Sequence, residues 1–506
     1  MMNSEEKNAN KKFMIVRTKE PQDKSPRRKL KDIKAFKWTI IPICIVLCFI
    51  GKFIPPVGLL TTEAFQVLFI FLGCLILWLT IGIDWPSLLC IFALGFVDSL
   101  GFKTVLANSF GNSTFLFLLF TFVCTYALSK TSIIKRVTLF FINSKLAKKS
   151  GLWFSFLFLF SVLVVGLFVS PSVLFVVILA ILKEILKMAR IDKGEKIGKA
   201  LMMGLGFTVS ISSGMTPIAH VFPVLAMEAA SVSINAGSYM LFAIPIGLVL
   251  FLLMFLVLFV FYKPDTSKLK SVDTSSLRAE LPKINKADII TLLTFIVVII
   301  LWIIPDFFKD IAPDFYNVMS GFTTAMPPIL GTIVLCAVKV EGKPILKIDE
   351  ALKNIPWGSL MMCAATLVLG VALTNNDVGL KQFLQVTLSG SLTNVAPIAL
   401  LIIFGIWAAI QTNLSSNMVT ATLVATVAAS VLTSINSTLS LEVVACIIGF
   451  LASCAFATPP SMPHIAIIAA SDYSNVKDVL LFGSILMVVS VIAALAIGYP
   501  LGLLVF

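Results

Sequence analysis

Residues 153–185 read WFSFLFLFSVLVVGLFVSPSVLFVVILAILKEI, an apolar run with single serines at 155 and 161 that breaks at Ser170-Pro171-Ser172 before its basic end. A hydrocarbon core of roughly 30 Å takes about 20 helical residues, so the run is too long for one span. Proline inside a helix removes an amide donor and clashes with the preceding turn, and lipid offers no water to satisfy the freed carbonyl. The stretch therefore predicts a re-entrant hairpin, with two apolar arms, a polar tip at Ser170 to Ser172, and both ends on one side of the membrane. The segment from Ala396 to Val431 has the same form, with its tip in Ser415-Ser416-Asn417-Met418.

Such hairpins need lipid around them, and the composition agrees. Of 506 residues, 58% are hydrophobic and 13% charged, with a mean hydropathy of +1.01, which excludes an ordinary soluble domain. Apolar runs recur from Trp38 to Phe506 and predict roughly nine to eleven spans of an all-α polytopic membrane protein. The net charge of +13 does not point to nucleic acid, because its Lys and Arg crowd a head (Lys11, Lys12, Arg17, Arg27, Arg28, Lys29) and three short polar stretches. Those stretches, Lys130 to Lys149, Lys183 to Lys199 and Lys263 to Lys286, lie between apolar runs. By the positive-inside rule they are cytoplasmic, and so is the N-terminus, in a multi-pass protein of the cell membrane. The head reads as disordered, with no cleavable signal. All nine cysteines sit in apolar runs without metal or redox spacing and read as small hydrophobes.

The polar stretch at 263–286 divides the chain near its middle, which predicts a basic tail (1–37), a first transmembrane repeat (38–262), a linker (263–286) and a second repeat (287–506). Three landmarks recur in the same order. An apolar segment ends in Leu128-Ser129-Lys130-Thr131 and, in the second half, in Leu373-Thr374-Asn375-Asn376. The hairpin tip follows in each. Then comes a Thr-Pro break among small residues: Ser213-Gly214-Met215-Thr216-Pro217, and Phe456-Ala457-Thr458-Pro459-Pro460. An odd number of spans per half gives two inverted-topology repeats, each with a re-entrant hairpin and a broken transmembrane helix.

Helices that begin at such tips aim bare N–H groups and the positive end of their dipoles at the mid-membrane space, which suits an anion. Unwound carbonyls with Ser, Thr and Asn oxygens beside them suit sodium. No Arg or Lys stands at the tips or the Thr-Pro breaks. The chain's only two histidines, His220 and His464, each follow a Thr-Pro break. Either they carry a proton or a charge near the site, or each caps a helix or bonds a neighbouring carbonyl, which is the reading preferred here. Glu184, Glu228 and Asp472 read as interfacial carboxylates without a role.

At these landmarks the chain resembles the divalent anion:sodium symporter family, which has a Ser-Asn-Thr motif at each hairpin tip and a Thr-Pro-type break after each hairpin. Ser416-Asn417 and Ala457-Thr458-Pro459-Pro460 match the second tip and break. Gly111-Asn112-Ser113-Thr114 and Ile355-Pro356-Trp357-Gly358 also match, and the likeness runs from about residue 40 onward. It implies a homodimer, an elevator movement of both hairpins, sodium as coupling ion and no organic cofactor. It implies sodium at Thr412, Asn417 and the Ala457 carbonyl, and substrate against Ser416, Asn417, Thr458 and Pro459, with Ser170, Ser172, Thr216 and Pro217 as first-repeat counterparts.

The departures fall at the same sites. Pro171 and Ser172 replace the Asn and Thr of the first motif, Gly166 stands where a sodium-ligating side chain is expected, and Met418 ends the second motif. The reading is a secondary active transporter of small anions (di- or tricarboxylate, or sulfate), sodium-coupled through the second repeat. The alternative is an anion exchanger or proton-coupled carrier of the same fold. A membrane-embedded enzyme is disfavoured, since no His-Glu-x-x-His or Gly-x-Ser-x-Gly motif is present. An anion channel is disfavoured because filters are built from rings rather than from two diverged halves.

Overall fold

The computed structural model describes residues 34–506 except 273–274, 280, 308–310, 313, 315–322, 381, 384–385, 387–394 and 436. Most of the basic tail, residues 1–33, and parts of the linker and second repeat therefore lie outside the described residues. A backbone in lipid has no partner but itself, and helix is the way a single segment satisfies it. Among the described residues, the only strand pairing beyond an isolated bridge joins Lys339–Val340 to Lys343–Pro344.

The first half opens with α1 (Lys34–Ile50) packed along α2 (Thr62–Thr80), then the short α3 (Asp84–Leu94) and α4 (Gly101–Ser109). Next comes α5 (Ser113–Ser129), which starts where the Asn112 side chain accepts the Thr114 N–H at 2.8 Å, and then α6 (Ile133–Ile142). The first hairpin is α7 (Gly151–Gly166) and α8 (Pro171–Met188). Pro171 takes the first helical position, where a missing N–H costs nothing. The arms run out and back. At the start of α7, Gly151 lies so close to Thr266 that a Cβ would sit 1.7 Å from its carbonyl oxygen, while Lys268 donates to the Arg190 carbonyl beyond α8 at 3.3 Å.

Behind the hairpin runs α9 (Lys196–Gly214), nearly all of it buried, which stops at the Thr216-Pro217 break and is followed by α10 (Phe222–Ala229). The half closes with α11 (Ala236–Phe255). The second half carries α12 (Lys286–Phe307), α13 (Met326–Ala337), α14 (Ile348–Asn354) and α15 (Trp357–Thr374). It then repeats the earlier order: a helix pair α16 (Pro397–Leu414) and α17 (Asn417–Ser434), a buried helix α18 (Leu441–Ser453), an extended break, and the short α19 (Pro463–Ala469). The chain ends in α20 (Val476–Ala493) and α21 (Tyr499–Val505).

Among the described residues, six helical stretches are long and apolar enough to cross a membrane, or seven if α14 and α15, bent by 78°, form one span. That is fewer than the nine to eleven that apolar runs alone predict. Part of the difference comes from breaks that cut runs into pieces such as α7, with 16 residues, and α18, with 13, each too short to cross alone, and part from α12, with 22, which is not in the count and runs up to residues outside the description. The three basic stretches gather on one face. Lys268 pairs with Glu195 at 2.7 Å, Arg136 donates to the Pro282 carbonyl, and Lys193 pairs with Asp472 at 3.0 Å, bringing the loop after α19 to that face. The Lys268 ammonium holds the Glu195 carboxyl below the usual carboxylate range. All nine cysteines are free, and only Cys336 is not fully buried.

Candidate functional site

Each hairpin tip is tied to its own Thr-Pro break by the same bond. In the first repeat the Thr216 hydroxyl donates to the Leu167 carbonyl at 2.6 Å; in the second the Thr458 hydroxyl donates to the Asn413 carbonyl. Leu167 and Asn413 hold equivalent places, each four residues before the first residue of the returning helix. Both returning helices, α8 and α17, begin without a side-chain cap, so their first amides stay available.

The second tip is built further. Asn413 Oδ1 accepts both the Phe456 N–H at 2.8 Å and the Ala457 N–H at 2.7 Å, and its amide donates to the Ala409 and Cys454 carbonyls at 2.8 and 3.2 Å. One side chain thereby satisfies much of the unwound segment after α18. Thr412, fully buried, donates to the Ala452 carbonyl at 2.7 Å. Asn417 donates to the Ser461 carbonyl at 3.1 Å, and Ser461 to the Thr458 carbonyl at 2.6 Å. Gly483 of α20 lets its backbone approach the same segment, since a Cβ there would meet the Phe456 carbonyl at 2.3 Å. One atom is left over: Asn417 Oδ1, on a residue 5% exposed, is buried without a hydrogen-bond partner. A buried amide oxygen left unpaired is costly.

The first tip has none of this. Gly166 stands where Thr412 stands in the second repeat, and the space its side chain would use is filled, since a Cβ would lie 2.1 Å from Ser212 Oγ. Leu167 replaces Asn413 and Pro171 replaces Asn417, so no side-chain oxygen is offered at these three places. Ser170 is half-buried, Ser172 exposed, and Thr216 and Pro217 buried, while Ser416, Thr458 and Pro459 are half-buried.

The two breaks meet. The ends of α9 and α18 touch where a Cβ on Gly214 would lie 2.9 Å from Ser453 Cβ. His464, 2% exposed, places Nε2 2.8 Å from the Ser210 hydroxyl of α9, with its ring 5.6 Å from that of Phe175 on α8. The half-buried His220 accepts the Val221 N–H on Nδ1 at 3.0 Å and stacks against Phe222. Both histidines thus bond to neighbouring groups. Beside the first break lies a cavity of about 560 Å³ whose walls include Thr114, Pro217, Glu228, Asn235, Trp302 and Pro327. Glu228 is thus inside the protein rather than at an interface, because α10 is folded back among other helices. Glu184 and Asp472 are exposed.

The sequence reading missed Asn413, whose only signal was a polar run, Gln411-Thr412-Asn413, inside an apolar helix. It also missed Ser210 and Ser461, which carry no signal apart from the contacts they make.

Two hairpins, two broken helices and paired uncapped helix starts define a multi-pass membrane carrier. The chain belongs to the family described as the sodium:sulfate symporter transmembrane region, which matches residues 34–506, and is a transporter rather than an enzyme. It is 24% identical over 406 residues to the sodium-dependent dicarboxylate transporter SdcS of Staphylococcus saprophyticus, covering 77% of this chain and 76% of that one. It is also 24% identical over 298 residues to an uncharacterized transporter of Methanocaldococcus jannaschii, covering 59% of this chain and 63% of that protein's length. The solved Neisseria gonorrhoeae MtrF aligns with 90% of this chain at 14% identity and a TM-score of 0.48, covering 96% of that chain.

Proposed function

We propose that the protein is a secondary active transporter of small anions, a di- or tricarboxylate or sulfate, coupled to sodium at the second hairpin tip. The observation that carries this reading is Asn417. It opens α17 at an uncapped helix start, which favours an anion, and it also holds a buried amide oxygen with no partner, which favours a cation. Sodium fits the neighbouring oxygens. Thr412 Oγ1 keeps lone pairs after donating its proton, and the Ala457 carbonyl accepts no hydrogen bond among the described residues. The substrate lies against Ser416, Asn417, Thr458 and Pro459 from one repeat and Ser170, Ser172, Thr216 and Pro217 from the other. The relatives named for sodium-dependent dicarboxylate transport support the same reading.

In this account the two halves are inverted repeats, the N-terminus and the basic face are cytoplasmic, and both hairpins move together in each protomer of a homodimer. The filled space at Gly166 favours a second reading, an exchanger or proton-coupled carrier that has given up the first sodium. Uptake of labelled succinate, citrate and sulfate into proteoliposomes separates the two. Accumulation driven by an inward sodium gradient supports symport, whereas flux that needs only internal counter-anion replaces it with exchange.

A further inference from the structure

The anion and sodium roles leave unused a carboxyl that lines an internal cavity, Glu228. Glu228 lies on α10, its carboxyl bonds to the Thr114 hydroxyl of α5, and both residues line the 560 Å³ cavity that Pro217 of the first Thr-Pro break also lines. α10 is held tightly to the second repeat: a Cβ on Gly449 of α18 would sit 2.8 Å from Pro223 Cα, and one on Gly370 of α15 would sit 3.1 Å from the Glu228 carbonyl oxygen. Thr114 lies on α5, which packs mainly against α13, also against α12 and α14, and touches α15 as well.

The residues that line the cavity with Glu228 include no Lys or Arg, and the one Lys of α12 is Lys286, its first residue. Cys363 of α15 is fully buried and within electrostatic reach. α18 carries Glu442 and Cys446, and α17 carries none. Tyr239 of α11 donates to the Gly214 carbonyl at 2.7 Å. On α5, Cys124 lies against the Pro328 carbonyl and Tyr126 bonds Glu350. Asp288 of α12 accepts from Ser132, Cys336 is on α13, and His220 precedes α10 with its Nδ1 accepting the Val221 N–H. Among the described residues, no cation lies within ion-pair distance of Glu228.

A carboxylate so placed is costly unless its charge is neutralised, and a proton does this without any further ligand. The Thr114 hydroxyl serves either form, donating to the carboxylate or accepting from the acid. We propose that Glu228 is a proton-coupling site: it takes a proton from water entering the cavity in one position of the carrier and returns it to water in the other. The proton supplies, in the first half, the positive charge for which Gly166, Leu167 and Pro171 leave no sodium-binding oxygens. This rests on the transport reading above.

The test uses full-length protein in proteoliposomes with labelled sulfate and succinate at a fixed sodium gradient. For the wild type, an inside-alkaline pH gradient raises accumulation by about tenfold per pH unit for one proton per cycle. Glu228→Gln removes that response while exchange against internal anion persists, and Glu228→Asp restores it with a displaced pH profile. Substrate protonation affects all three proteins alike. A Glu228→Gln variant that keeps the wild-type response overturns the proposal, and so does one that loses exchange as well while remaining monodisperse. Wild-type protein that moves neither anion would sink the transport reading instead. The proposal then stands or falls on labelling of Glu228 by dicyclohexylcarbodiimide. Reaction at low pH that fades as pH rises supports it, and no reaction at any pH contradicts it.

Discussion

The two hairpin tips share one bond and differ in almost everything else. A Thr hydroxyl from the following break reaches the same carbonyl position in each, Leu167 or Asn413, so the backbone scaffold is common to both. The side chains around that bond have diverged. The second tip offers Thr412, Asn413 and Asn417 where the first offers Gly166, Leu167 and Pro171. The scaffold of a repeat can thus persist while the side chains beside it change, because the carbonyl-to-hydroxyl tie uses backbone and one Thr, whereas the side-chain oxygens of the sodium site proposed above are each removed by a single substitution.

Importing the first tip into the second should have the largest effect. Asn413→Leu strips the partners from two buried amides, each worth roughly 1 to 3 kcal/mol. The expected outcome is a clear drop in melting temperature in detergent together with loss of uptake. Asn413→Asp keeps the acceptor and should retain more of both. Next comes Asn417→Ala, which should weaken apparent sodium affinity by about 10- to 100-fold with a small change in melting temperature, as read from sodium titration of uptake.

In the other direction, Gly166→Ala drives a Cβ into Ser212 and should cost about 1 to 3 kcal/mol. Adding Ser212→Gly should recover much of the loss, and a thermal-shift comparison of the single and double variants checks the coupling. Pro171→Asn alone should leave sodium dependence as it is, since Gly166 and Leu167 still offer no oxygen. Least of all, Lys268→Ala opens an exposed pair with Glu195 that water and salt already screen. Its melting temperature should match the wild type at physiological salt.

The breaks were legible because they are local: Ser-Pro-Ser, Ser-Ser-Asn and Thr-Pro inside apolar runs declare themselves whatever surrounds them, and their repeated order fixes the plan of the helices. What was not legible depends on which helix faces meet. Asn413 reads as one more polar residue until the Phe456 and Ala457 amides are seen to converge on it. Gly166 is conspicuous in sequence, yet only the structure shows Ser212 occupying its space. Glu228 reads as interfacial by distance along the chain, but the fold turns α10 inward. His464 is expected to cap a helix or bond a nearby carbonyl, whereas its Nε2 meets the Ser210 side chain on the other repeat.

The central claim is that sodium is held at the second tip and has no ligand cage at the first. The most direct measurement is the sodium dependence of labelled-anion uptake in proteoliposomes, for wild type and Asn417→Ala at constant pH. The expected result is a Hill coefficient of about 1 for the wild type and, in the variant, a sodium dependence displaced about 10- to 100-fold to higher concentration. A coefficient near 2, or a sodium dependence that is not displaced in Asn417→Ala, would contradict it.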